Sequence, residues 1–238
     1  MQSKLVKADE RGHAEHGWLN TWHSFSFANF YDPSKVHFGA LRVLNDDEIG
    51  AGMGFGMHPH DNMEIITLVQ TGELRHSDSM GHTSVIKPGE VQVMSAGTGI
   101  FHSEHNNLKD EKLHLFQIWV IPQVRNVKPR YDQRVFEAED RKNKLQVIVS
   151  PEGSNEGIWI YQNAWFSLAD LEAGNDLAYA SKRKGNGTYL FVIEGSVEAA
   201  DKTLQGRDAL ELTDFDTCNI YAATNARLLL MDVPMEME

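Results

Sequence analysis

A single cysteine, Cys218, is all that this chain of 238 residues carries. No disulfide can close within it, and a reducing compartment is the simpler setting. Long apolar runs are also missing: the sequence has no stretch of about 18 such residues, so no spanning helix is expected. The opening MQSKLVKADERGHAEH is polar where a secretory signal needs an apolar centre. The expectation is a soluble cytoplasmic protein, or a nuclear one if the source is eukaryotic. Basic residues are in deficit, 22 Lys and Arg against 34 Asp and Glu, for a formal charge of -12. That balance opposes attraction to nucleic acid or to an anionic membrane surface, and leaves a protein partner open. Long amphipathic helical patterns are scarce. Histidine is absent from the entire second half: all 11 lie at or before His114.

What the chain does have is many short apolar segments set between glycine, proline and asparagine. FGALRVLNDD, MEIITLVQTGELRHSDSMG, GEVQVMSAG and KLHLFQIWVIP read as strands of a few residues each. In the last, Leu113, Leu115, Gln117 and Trp119 alternate with His114, Phe116, Ile118 and Val120. Both faces are largely apolar, which suits a sheet covered on both sides. YDQRVFEAEDRKNK reads as a short turn or helix between the halves. The second half repeats the pattern: YLFVIEGSVEA echoes IITLVQTGELRH, and QGRDALEL echoes KPGEVQVM. Strands this short and this dense favour a jelly roll or barrel, so the fold class is all-β with two such modules. The expected division runs 1–133 and 134–238, the first half holding the site and the second lacking one.

Two segments concentrate the chemistry. FGMHPHDNMEIITL carries His58 and His60, and SAGTGIFHSEHN carries His102 and Glu104. Side chains two apart on a strand point the same way. If both strands line one barrel interior, three imidazoles and one carboxylate converge, a donor set suited to a divalent metal. On a regular strand Gly52, Gly54 and Gly56 share the face of His58 and His60 and leave open volume beside them, whereas Met53, Phe55 and Met57 face away. Pro59 cannot donate to a ladder and marks an edge or an irregularity. A lone H-x-H is more often a solvated surface pair; the second H-x-E segment shifts the balance toward a metal.

These residues resemble a known family. GAGMGFGMHPHDNMEIITLVQTG followed by KPGEVQVMSAGTGIFHSEHN is similar to the two motifs of the cupin superfamily. RGHAEHGWLNTWHSFSFANFYDP, FGALRVLNDD, GELRHSDSMGH and LHLFQIWV extend the likeness, more narrowly, to the pirins, which are bicupins of two jelly-roll barrels packed together. The likeness covers about the first 130 residues strongly and the rest in fold only. A generic cupin would enlist Glu64 as the carboxylate ligand. The pirin resemblance instead implies His58, His60, His102 and Glu104, with Glu64 left to orient an imidazole from behind. It implies one metal ion, iron(II) first, although nickel, copper, manganese or zinc suit the same donors.

Some pirins oxidise quercetin, so the resemblance implies a quercetin 2,3-dioxygenase, an enzyme that takes a planar phenolic substrate and dioxygen, opens the central ring and releases carbon monoxide. Glu104 is then also the candidate catalytic base, ahead of Glu64 and of His105, which parity turns to the opposite face. The alternative is a metal-binding regulatory or stress-related protein that contacts a protein partner, as eukaryotic pirins do. Trp18, Trp22, His23, Phe25, Phe27, Phe30 and Tyr31 offer rings for a planar substrate, but such a run more often builds core or covers a barrel mouth. His23, His37, His76, His82 and His114 read as structural hydrogen-bonding residues, and Cys218 as a small buried hydrophobe.

Overall fold

Strand pairing, antiparallel with one exception, builds four sheets in the computed structural model, which describes residues 1–236. In the first module a seven-stranded sheet runs, in spatial order, Arg130–Val135, Glu90–Ser95, Glu64–Thr71, Leu113–Val120, Leu41–Ile49, Leu19–His23 and Gly12–Glu15. Its companion has four strands: Gly54–His60, Ile100–Asn106, Leu74–Asp78 and Thr83–Ile86. The second module has the same composition. Seven strands run Gln2–Val6, Ala209–Thr213, Asn186–Glu194, Ala226–Pro234, Trp165–Leu171, Gln146–Pro151 and Ile158–Ile160, the last pair parallel. Four more run Asp176–Ala180, Thr217–Ala222, Ser196–Ala199 and Lys202–Gln205. The protein is therefore all-β, with two jelly-roll modules. Among the described residues the helical pieces are two 3-10 turns, Ala8–Glu10 and Ala138–Arg141.

The two modules share their turn chemistry. Gly72 follows Glu64–Thr71 and Gly195 follows Asn186–Glu194, with φ of 80° and 82°. Only glycine takes that left-handed conformation without strain. A Cβ on Gly72 would stand 2.9 Å from Leu113 Cα, and one on Gly195 2.8 Å from Ala226 Cα. Leu113 and Ala226 open corresponding strands, so the echo between the halves is a structural one.

Alternation along each large sheet sends one set of side chains into its own barrel and the other to the facing module. Leu113 and Leu115 pack inside the first barrel; Phe116, Ile118 and Val120 belong to a core shared with Phe166, Phe191 and Met231 of the second. Both faces of Leu113–Val120 are covered, as its pattern requires.

The expected division at residue 133 needs correction in two places. It would cut the strand Arg130–Val135, which pairs with Glu90–Ser95. That strand also takes up the first part of the segment read as a turn or helix; only the 3-10 turn after it is helical. At the other end Gln2–Val6 leaves the first module and pairs with Ala209–Thr213. Each module thus lends its leading strand to the other's large sheet, where the exchanged strand satisfies an edge that would otherwise be open. Residues 237 and 238 of the expected second module lie outside the described residues.

Candidate metal centre

Three imidazoles meet where the small sheet of the first module lines its barrel. Strand Ile100–Asn106 pairs with Gly54–His60 so that His102 stands opposite His58, and Ile100 opposite His60. One nitrogen from each of His58, His60 and His102 lies within 4.8 Å of the other two. The rings crowd one another at centroid distances of 4.4–4.9 Å. His58 Nδ1 lies 2.8 Å from the carbonyl of Gly56, a contact in which it donates, so the lone pair of the neutral tautomer is on Nε2. His102 Nε2 is buried with no protein partner. Burial, with neighbouring imidazoles adding to it, pushes His60 down to about 4 and His102 to about 2. Imidazole nitrogens brought this close, one of them orphaned in the interior, are what a divalent cation needs. The trio can hold one such ion.

Glu104 is not in that group. It follows His102 on the same inward face and is buried, but both carboxylate oxygens accept from Gln117 Nε2, at 3.1 and 2.9 Å. Burial pushes its carboxyl up to about 7, and the carboxylate of Asp47 adds to the shift against the lowering effect of Gln117. Asp47 is raised to about 7 likewise, mainly by burial, although Thr21 Oγ1 donates to it. Two acids therefore share the polar floor.

Above this floor and the imidazoles opens a cavity of about 660 Å³. Trp18, Phe27, Phe55 and Trp119 give it aromatic walls, and His23, held by Asn45 at 2.9 Å, lies beside them. The aromatic run Trp18–Tyr31 thus divides. Trp18 and Phe27 reach the cavity, Phe25 joins the shared core, and Tyr31 is exposed.

Three details differ from the regular-strand expectation. The register between Gly54–His60 and Ile100–Asn106 shifts between His102 and Glu104: His102 pairs with His58, and Glu104 with Phe55. One extra residue on the first strand is a β-bulge. It brings Phe55 to the same side as His58, so Phe55 lines the cavity instead of facing away. Secondly, Gly54 leaves no open volume. A Cβ there would stand 2.1 Å from Glu104 O, so this glycine permits close strand approach, whereas Gly56 has open space around its Cβ position. Thirdly, Glu64 neither orients an imidazole nor faces the cavity. Parity on Glu64–Thr71 turns it with Ile66 and Leu68 toward the second module, where it accepts from Ser95 Oγ at 2.6 Å. His105 points outward, as its parity requires.

Sequence reasoning passed over Asp47 and the role of Gln117. Both left a trace: Gln117 interrupts the apolar face Leu113, Leu115, Trp119, and Asp47 sits two residues from Asn45 on a face whose other members, Leu41, Val43 and Ile49, are apolar.

The corresponding place in the second module is filled. Strand Asp176–Ala180 pairs with Thr217–Ala222 as Gly54–His60 does with Ile100–Asn106, matching Tyr179 with Cys218 and Leu177 with Ile220. All four are buried together in the apolar core of that barrel. Side chains pack there where imidazoles meet in the first module.

Comparison with known proteins agrees with this geometry. Residues 5–120 match the Pirin family model, and residues 147–233 match that of the quercetinase C-terminal cupin domain. The chain is 44% identical over 234 residues to a quercetin 2,3-dioxygenase of Escherichia coli K12, covering 97% of this chain and 98% of the relative. A pirin-like protein of Caulobacter vibrioides is 40% identical over 225 residues, 94% of this chain and 96% of its own. Among solved structures, E. coli YhhW superposes with a TM-score of 0.94 at 40% identity over the full length of both chains. The bacterial pirin YhhW of E. coli in complex with nickel(II) gives 0.92 at 40% identity, covering 98% of this chain and 99% of the other. Matched along its whole length in sequence and in fold, the chain belongs to the pirin family.

Proposed function

We propose that the protein is an iron(II)-dependent quercetin 2,3-dioxygenase of a reducing, cytoplasmic setting, with His58, His60, His102 and Glu104 as metal ligands. The observation that carries the reading is the unpaired Nε2 of His102, grouped with two further imidazoles beneath an aromatic-walled cavity. A cavity of about 660 Å³ suits a ligand of flavonol size. The names of the E. coli relatives support the substrate class and the use of a divalent ion.

When bound, the ion supplies Lewis acidity toward the flavonol 3-oxyanion and redox chemistry toward dioxygen. The side chains do the rest. Trp18, Phe27, Phe55 and Trp119 stack on the flat substrate and exclude water. Glu104, which lines the cavity on the same strand face as His102, takes the 3-hydroxyl proton. Gln117 orients that carboxylate through two hydrogen bonds. In the overall reaction both atoms of dioxygen enter the product, the central ring opens, and C3 leaves as carbon monoxide.

The test is stoichiometry. Iron(II)-loaded protein given quercetin and measured dioxygen is expected to release carbon monoxide, consume dioxygen and form ring-opened phenolic ester in equal amounts. Carbon monoxide no greater than from the same iron without protein refutes the activity. Glu104→Gln, which keeps the shape but loses the basicity, is expected to lower turnover per bound iron by at least about 100-fold. Undiminished turnover removes Glu104 as the base.

A further inference from the structure

His76 lies outside the trio yet touches it. Its strand, Leu74–Asp78, pairs with Ile100–Asn106 and sets His76 opposite Glu104, beside His102. The side chain is wholly buried, and its Nε2 lies 3.2 Å from Nδ1 of His102. Behind it, Tyr131 stacks on the ring at 5.0 Å and also stacks on His82 at 5.2 Å. Tyr131 comes from the exchanged strand Arg130–Val135, whose Arg130 donates to Trp159 O at 2.6 Å and covers the Trp159 ring at 3.7 Å. The second module therefore braces the stack that holds His76.

Two neutral imidazoles can share one such hydrogen bond in two ways. If His76 Nε2–H donates, the proton of His102 sits on Nε2 and blocks the lone pair that faces His58 and His60. If His102 Nδ1–H donates, Nε2 of His102 is free to coordinate. Metal-bound histidines generally give their second N–H to a fixed acceptor, which sets ring orientation and raises donor strength. Carboxylates, backbone carbonyls and water are the usual acceptors; for His102 the hydrogen-bonding partner is an imidazole.

We propose that His76 is a positioning residue of the metal centre: its Nε2 accepts the Nδ1–H of His102 and holds that ring in the tautomer and orientation that present Nε2 to a divalent cation. The proposal rests on the reading of His58, His60 and His102 as ligands. Accepting this bond places a proton on His76 Nδ1, which is buried without a protein partner. An unpaired buried N–H is destabilising, and the bond from His102 to the ion is what offsets it.

The test uses metal affinity, not turnover. Zinc(II) or nickel(II) dissociation constants are measured by chelator competition for wild type, His76→Leu, His76→Gln and His58→Ala. Gln retains an acceptor oxygen; Leu fills the space without one. His76→Leu is expected to weaken binding by about 10–100-fold, with His76→Gln close to wild type. Equal affinity in all His76 variants overturns the proposal, as does equal loss in the Leu and Gln variants, which would mean packing alone. Wild-type affinity in His58→Ala instead removes the metal-site reading. Nitrogen-15 NMR of the full-length zinc-loaded wild type decides the matter even if His76→Leu does not fold. A proton on His102 Nδ1 and none on His76 Nε2 is the expected result; the reverse overturns it.

Discussion

Asp47 shows how one buried acid affects both stability and chemistry. Its carboxyl is raised to about 7, against an ordinary value of 3.8, because burial disfavours the charge and Asp46 adds to it. Between those two values the folded state binds more protons than the unfolded state, so stability falls as pH rises through that window. Replacing the acid with its amide removes this loss while an oxygen remains to accept from Thr21. The metal-free Asp47→Asn variant is therefore expected to gain on wild type as pH rises through that window, standing further above it at pH 8 than at pH 5, as read by thermal denaturation. A variant less stable than wild type at pH 8 by as much as at pH 5 would contradict the account. Glu104 and Glu64, also raised to about 7 chiefly by burial, act in the same direction and keep part of the slope. Asp46, next in the chain, behaves oppositely. Burial pushes it up, but His114, Arg207 and Arg11 more than offset that and leave it lowered. Its contribution is present at neutral pH and lost in acid. Neighbours in sequence thus fall on opposite faces of one strand, one acid at the cavity and the other at the junction of the modules.

At the scale of the element, the strand Gly54–His60 decides whether the imidazoles meet. It pairs on one side only, with Ile100–Asn106, and carries the bulge that aligns Phe55 with His58. Its two inner glycines make opposite demands. A Cβ at Gly54 would meet Glu104 O and His105 Cα at 2.1 and 2.5 Å, both backbone atoms; at Gly56 it meets nothing within 4 Å. Gly54→Ala is expected to force the strands apart, costing about 1–3 kcal/mol and lowering metal affinity at least about tenfold as His58 and His60 shift. Gly56→Ala leaves both quantities near wild type. Denaturant unfolding and metal titration check the pair; equal behaviour of the two variants would show that strand approach does not position the ligands. The H-x-H and H-x-E spacings were legible because strand periodicity is local. The bulge was not, because a register shift is a property of two strands and no single segment encodes it.

For the whole molecule, the exchanged strands and the shared core imply that the modules unfold together. Phe116 packs against Phe191 across the junction at a centroid distance of 5.5 Å, and Asp46 binds Arg11 at 3.1 Å and Arg207 at 2.9 Å. Phe116→Ala is expected to cost about 3–5 kcal/mol and to shift one cooperative transition, seen alike by near-ultraviolet circular dichroism and by fluorescence. Two separate transitions, only one of them displaced, would show that the modules are independent. Metal content in the fraction still folded should stay near wild type, because Phe116 faces away from the cavity.

The sequence by itself determined the all-β class, the duplicated module and the three imidazoles that gather. Alternation, glycine turns and two-residue ligand spacing are short-range patterns, readable within one segment. It also left the second half without histidine and so without an imidazole donor. Only the tertiary structure decided which residues surround the trio. Glu64 went to the junction of the modules and Asp47 to the cavity floor. Leu177, Tyr179, Cys218 and Ile220 packed the corresponding place in the second barrel. His76, 26 positions from His102 in the chain, came to rest against its ring. Each of these outcomes depends on register between distant strands and on which face of a sheet the partner module covers. Those are set by the summed packing of the whole molecule, and no local pattern specifies them.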